Sequence, residues 1–173
     1  MCNLFKLDQK KKDYQAISTN SLYFEISNKE QVIGQLIYKN WFKFNAEINI
    51  LNSKYQIEPK GFWGTTVEVK DGENVILKFT MNWDGNILLQ TYFNKIEKDY
   101  IFKHSGFFKE SFILTDQKNN QLLVMKPKFK WNSLKYEYEI TTSVIFETFE
   151  EKDILLLNSL HCANYFMAMM MGM

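Results

Sequence analysis

Polar and apolar residues alternate along much of this chain, with the period of a β-strand. Lys126-Pro127-Lys128-Phe129-Lys130-Trp131 and Lys135-Tyr136-Glu137-Tyr138-Glu139-Ile140 change character at nearly every step, which turns one face of each segment to water and the other to a common core. Aromatic and β-branched runs of this kind recur between turn residues over Leu22–Ile26, Gln31–Tyr38, Phe44–Leu51, Tyr55–Glu58, Thr65–Lys70, Val75–Met81, Asn86–Tyr92, Tyr100–His104, Phe107–Thr115, Gln121–Phe129 and Lys135–Thr142. Asp71-Gly72 and Asp84-Gly85 are the clearest turns, because glycine accepts the positive φ of a tight hairpin. Many short, evenly spaced strands predict a sandwich or a barrel. Residues 1–21, with Lys10-Lys11-Lys12, precede the first run and are expected to form an N-terminal arm, leaving 22–173 as one domain.

The period changes after Asp153. Ile154 to Ala168 holds helix formers, no proline, and apolar residues on every side of a helical projection, followed by a methionine-rich end. Glu150, Glu151 and Asp153 precede it, where carboxylates suit the positive end of a helix dipole. A helix at about 153–172 that is apolar all round must lie inside protein or lipid. About 20 residues span a bilayer, but Asn158, Ser159, His161 and Asn164 fall mid-helix, where lipid would penalise them. Burial within the sheet is therefore expected, with a C-terminal membrane anchor as the alternative. A sheet curled around the helix accounts for both elements.

Composition narrows the function classes. A 173-residue chain with 46% hydrophobic and 16% aromatic residues supplies core material for one domain. Its net charge of +1 gives no global field toward nucleic acid or membrane, so any such partner needs a local patch. Every cation is lysine, and without arginine's bidentate fork a phosphoryl-transfer enzyme or base-reading DNA binder is disfavoured. Cys2 and Cys162 have no local partner, which fits free thiols in a reducing compartment. With no apolar leader at Met1–Lys6, a cytoplasmic location is expected.

The order of parts resembles the tubby C-terminal-like barrel, in the branch of phospholipid scramblases and plant LURP-one-related proteins. The likeness lies in the many short strands, then Phe146–Phe149, the acidic stretch Glu150–Asp153, and an apolar helix containing Cys162-Ala163. Phe112-Ile113-Leu114-Thr115-Asp116 followed by Gln121-Leu122-Leu123 is similar to that family's strand, Asp-containing turn and strand. The resemblance implies a closed antiparallel barrel of about a dozen strands with the helix threading its centre, which also removes sheet edges. It implies less about activity, since the family includes a phosphoinositide-binding module and proteins associated with lipid scrambling. Its scramblase members are proposed to bind calcium just before the helix; Glu147, Glu150, Glu151 and Asp153 do not reproduce that alternating carboxylate pattern.

Candidate chemistry is sparse. Lys126, Lys128 and Lys130 share one strand face with Trp131 nearby, an arrangement that can meet anionic head groups at about 1 kcal/mol per lysine. The competing explanation is a solvated face with Phe129 turned inward. His104 and His161 are far apart, and a buried histidine bonded to backbone explains His161 better than catalysis. His161 and Cys162 point about 100° apart on a helix and do not pair as base and nucleophile. No metal, cofactor or catalytic set is expected. Gly61-Phe62-Trp63-Gly64 suits a strand-leading bend rather than a ligand lid, and the terminal methionines suit core filling rather than a binding surface. The expected function is a non-enzymatic module that binds an anionic phospholipid surface or a protein partner. The alternatives are an enzyme with a site assembled from distant strands and the C-terminally anchored membrane protein.

Overall fold

The computed structural model describes residues 11–20, 22–40, 44–60, 66–106, 110–130 and 135–170. Twelve strands follow one another: β1 Asp13–Asn20, β2 Tyr23–Ser27, β3 Val32–Asn40, β4 Asn45–Ile50, β5 Ser53–Lys60, β6 Thr66–Asp71, β7 Asn74–Met81, β8 Ile87–Thr91, β9 Lys98–Ser105, β10 Ser111–Asp116, β11 Gln121–Lys130 and β12 Lys135–Thr142. A short helix α1, Val144–Glu147, and the long α2, Lys152–Met170, complete the chain. Each strand pairs antiparallel with the next, and β1 pairs with β12, so the sheet closes into a barrel without a free edge. The expected closed antiparallel barrel around a buried C-terminal helix is the fold observed, in a tubby-like arrangement.

Part of the segment expected as an N-terminal arm, residues 1–21, belongs to the sheet. Asp13–Asn20 forms β1, with Tyr14 opposite Ile140 on β12 and Ala16 opposite Ile26 on β2. Tyr14, Ala16 and Ser18 face inward while Ile17 faces outward, 37% exposed. An inward row of tyrosine, alanine and serine beside an outward isoleucine blurs the alternation by which a strand is read from sequence.

Inside the barrel, Ile154 to Asn164 of α2 are buried without interruption. Barrel side chains reach the helix from all around: Tyr38 of β3 and Phe79 of β7 stack near His161, Phe102 of β9 and Phe112 of β10 lie beside Phe166, and Tyr138 of β12 bonds Asn164. A helix surrounded by sheet has no wet side, which is why its apolar residues show no helical stripe. The helix comes close to the sheet at Gly34 of β3, where an added Cβ would lie 2.6 Å from both the Leu157 Cδ1 and the backbone oxygen of Asn49. Gly34→Ala is expected to cost about 1–3 kcal/mol through overpacking, read as a lowered urea midpoint at unchanged m-value.

Chain direction gives the barrel two distinct ends. At the head end α2 begins, and the connections β2–β3, β4–β5, β6–β7, β8–β9 and β10–β11 turn there. At the tail end α2 finishes, and β1–β2, β3–β4, β5–β6, β7–β8, β9–β10 and β11–β12 connect. A carboxylate fastens the head end. Glu147 accepts from Tyr14 (3.0 Å), from Thr142 and from Lys152 Nζ (2.8 Å), joining β1, β12 and both helices. Burial would raise the Glu147 carboxyl, but those hydrogen bonds outweigh it and hold the group below the usual glutamate range.

Candidate functional site

The polar residues of α2 form a buried hydrogen-bond track. Tyr138 donates to Asn164 Oδ1 (2.8 Å), Asn164 Nδ2 donates to the Tyr38 hydroxyl (3.2 Å), and that hydroxyl meets His161 Nδ1 (2.9 Å). His161 is thus bonded to a side chain rather than to backbone as expected. Its Nε2, like Asn158 Oδ1, meets no hydrogen-bond partner among the described residues. Burial pushes the His161 imidazolium down to about 3 and the Cys162 thiol well up, so at neutral pH the ring is uncharged and the sulfur protonated. Both side chains are fully buried. This track fixes the helix inside the barrel and offers no reachable nucleophile.

The lysine face lies where alternation put it, but it is not purely basic. Lys126 and Lys128 are exposed on β11, and register sets them opposite Glu139 and Glu137 of β12. Lys128 makes an ion pair with Glu139. Charges so interleaved cancel within a few ångströms, and exposed pairs of this kind contribute at most about 1 kcal/mol. Only at the tail end does the pattern change, where Lys130 stands in register with Lys135. Trp131 lies outside the described residues, as do the Gly61-Phe62-Trp63-Gly64 cluster and Met171–Met173. Asp116, in the turn similar to the family's, is occupied structurally: its carboxylate accepts from the backbone of Lys118 and Asn120 and from the Asn120 side chain, each at 2.8 Å.

At the head end, beside the start of α2, a cleft of about 380 Å³ opens between Asp71, Tyr55, Tyr92, Phe93, Glu150, Glu151 and Asp153. Burial raises the Asp153 carboxyl above its usual range, Glu147 adds to the effect, and Lys152 and Lys12 oppose it. Carboxylates on aromatic walls attract cations. Among the described residues, no histidine, cysteine, serine or lysine lines the cleft. Sequence reading missed this feature because its residues come from distant strands and share no local motif. Among the described residues, no group of three or more His, Cys, Asp or Glu is placed to hold a metal ion. No helix among them is long and apolar enough to cross a membrane.

Both ends of the barrel carry mixed charge. Lys39, Lys60, Lys130 and Lys135 stand at or next to strand ends at the tail, where Lys39 pairs with Glu47 (3.9 Å) and Lys60 with Glu58 (3.1 Å) and Glu68 (3.9 Å), and Asp84 and Glu110 lie in the described connections. Head-end strand termini and turns carry Asp13, Glu30, Asp71, Glu73, Glu97 and Asp116 in addition to the carboxylates before α2, with lysines interleaved. No protein-family model, curated protein or solved structure matches this chain, so its likeness to tubby-like barrels stands on the closed sheet and the enclosed helix.

Proposed function

We propose that this chain is a non-enzymatic binding module of the scramblase and LURP-one-related branch, recognising an anionic phospholipid surface. A helix fills the barrel interior, so a partner is met on the outside, and the carrying observation is the lysine row Lys126, Lys128 and Lys130 along β11, continued by Lys135 in register with Lys130 on β12. Glu139 and Glu137 stand opposite Lys126 and Lys128, which favours the end of this face at Lys130 and Lys135 as the part that meets an anionic surface. Co-sedimentation with phosphatidylserine-containing vesicles tests the reading. Binding is expected at low ionic strength and should decline with salt, because the Debye length falls from about 30 Å at 0.01 M to about 10 Å at 0.1 M. Absence of binding to such vesicles at low salt would remove this function.

The head-end cleft favours a second reading, a basic segment of a protein partner held between carboxylates and aromatic rings. Titration with an oligolysine peptide separates the two. Glu150→Lys with Glu151→Lys should abolish peptide binding and leave vesicle binding intact.

A further inference from the structure

We infer that the head-end cleft seats a small organic polycation of the polyamine class, held between carboxylates and aromatic rings. The inference takes the cleft read above as a seat for a basic segment, commits it to a free small ligand, and is independent of membrane recognition. Two parts of the chain line the cleft of about 380 Å³. One is the rim of the adjoining strands β4 to β8, with Tyr55, Asp71 and the Tyr92-Phe93 pair of the β8–β9 connection; the other is the entry to α2, with Glu150, Glu151 and Asp153. None of these carboxylates makes an ion pair or side-chain hydrogen bond among the described residues, whereas Glu47, Glu58, Glu68 and Glu147 are each met by a lysine. Tyr55, Tyr92 and Phe93 likewise meet no other ring or cation there. Asp153 is partly buried, and burial raises its carboxyl, so its charge is poorly hydrated where it stands. The helix adds a deeper acceptor. Asn158, one turn along α2 from Ile154 of the cleft, is fully buried, and its Oδ1 has no partner among the described residues. Its Nδ2 is directed to Cys162 Sγ (3.9 Å), a turn further from the cleft, so the oxygen end of the amide is turned back toward it.

The chemistry of the lining selects this class of ligand. A metal ion is disfavoured, because among the described residues no three carboxylates are grouped to hold one. A monoamine would leave most of the charge unmatched. A chain of ammonium groups joined by short methylene runs answers both features: its charges meet the separated carboxylates, and its methylenes lie along the rings and along Ile50 and Ile76. The size agrees. At about 30 Å³ for each water-sized group, the space takes roughly a dozen heavy atoms, which is a triamine or tetraamine rather than a folded partner.

Isothermal titration calorimetry of the full chain with spermidine tests the inference at about 0.15 M salt, where the Debye length is about 8 Å and diffuse attraction is screened. Magnesium, propylamine and an oligolysine peptide are the comparators. The expected result is one saturable spermidine site, about tenfold tighter than magnesium or propylamine. Asp71→Asn should weaken it about fivefold and Tyr92→Leu about threefold. Glu73→Gln, exposed in the same β6–β7 hairpin but outside the cleft, should change it less than about twofold. A circular-dichroism melt confirms the fold of each variant. No saturable spermidine binding, equal binding of magnesium, or equal effects of Asp71→Asn and Glu73→Gln overturns the inference. Binding of oligolysine without spermidine also overturns it while leaving the basic-segment reading standing, and binding of neither removes both.

Discussion

Leu157→Lys is expected to abolish cooperative folding. Leu157 is fully buried where α2 lies against Gly34 of β3. The closed ring of strands leaves a lysine there no route to water. An unpaired ammonium in such a place costs more than the roughly 5–15 kcal/mol that holds a domain together. Leu157→Met, which preserves volume, should cost less than about 1.5 kcal/mol, and the pair together separates charge from shape. Truncation after Asp153 should have the same outcome as the lysine, since Leu155, Leu156, Leu157 and Leu160 are each worth roughly 1.5–3 kcal/mol when buried. The readout is a urea transition followed by near-ultraviolet circular dichroism. A sharp transition in Leu157→Lys would mean that this side of α2 meets water, contrary to the enclosed helix.

Acid should destabilise the protein well before its carboxylates protonate. His161 is neutral in the folded state with its imidazolium pushed down to about 3, whereas the unfolded chain takes up a proton near pH 6.5. The unfolded state therefore binds the extra proton throughout that window, so this stability is fully present above about pH 6.5 and is lost as pH falls toward 3. Each pH unit below 6.5 removes about 1.4 kcal/mol, or somewhat under 3 kcal/mol by pH 4.5. The rings of Tyr38, Phe44 and Phe79 lie around His161 and the Tyr38 hydroxyl bonds it, so among the described residues no carboxylate is placed to hold an imidazolium. Glu147 and Asp116, held below the usual carboxylate range, act in the same direction but at lower pH, while Asp153, held above its range, acts against them. Between pH 6.5 and 5 the slope belongs to His161. His161→Gln should flatten it there, and an unchanged slope in that variant would show that the ring is charged or hydrated in the native barrel.

The helix was the most legible element in the sequence, because an unbroken apolar run leaves no wet face and so demands enclosure. Legibility failed where a local pattern did not determine the neighbours. Strand β1 was passed over because its inward residues are Tyr14, Ala16 and Ser18, and only pairing with β2 and β12 shows that they point to the core. The lysine face was visible as alternation at Lys126 and Lys128, and Glu137 and Glu139 were visible beside it. That each faces the other across the hairpin is a matter of register, which alternation alone leaves open. The acidic cleft was beyond reach for the same reason. Its residues lie far apart in the chain and are gathered only when the order of strands is known.

The order in which the barrel's parts appear along the chain also constrains how it can be made. Every strand precedes α2, so during synthesis the wall emerges before the element that fills it. Hairpins can form in sequence, but their inner faces stay exposed until the helix arrives, and joining β1 to β12 links residues as far apart as Asp13 and Thr141. Contacts so distant in sequence close slowly, and partly built sheets with open edges are the species most prone to associate with one another. Yield in a cell should then be governed by how well chaperones shield the unfinished wall, more than by the stability of the finished barrel.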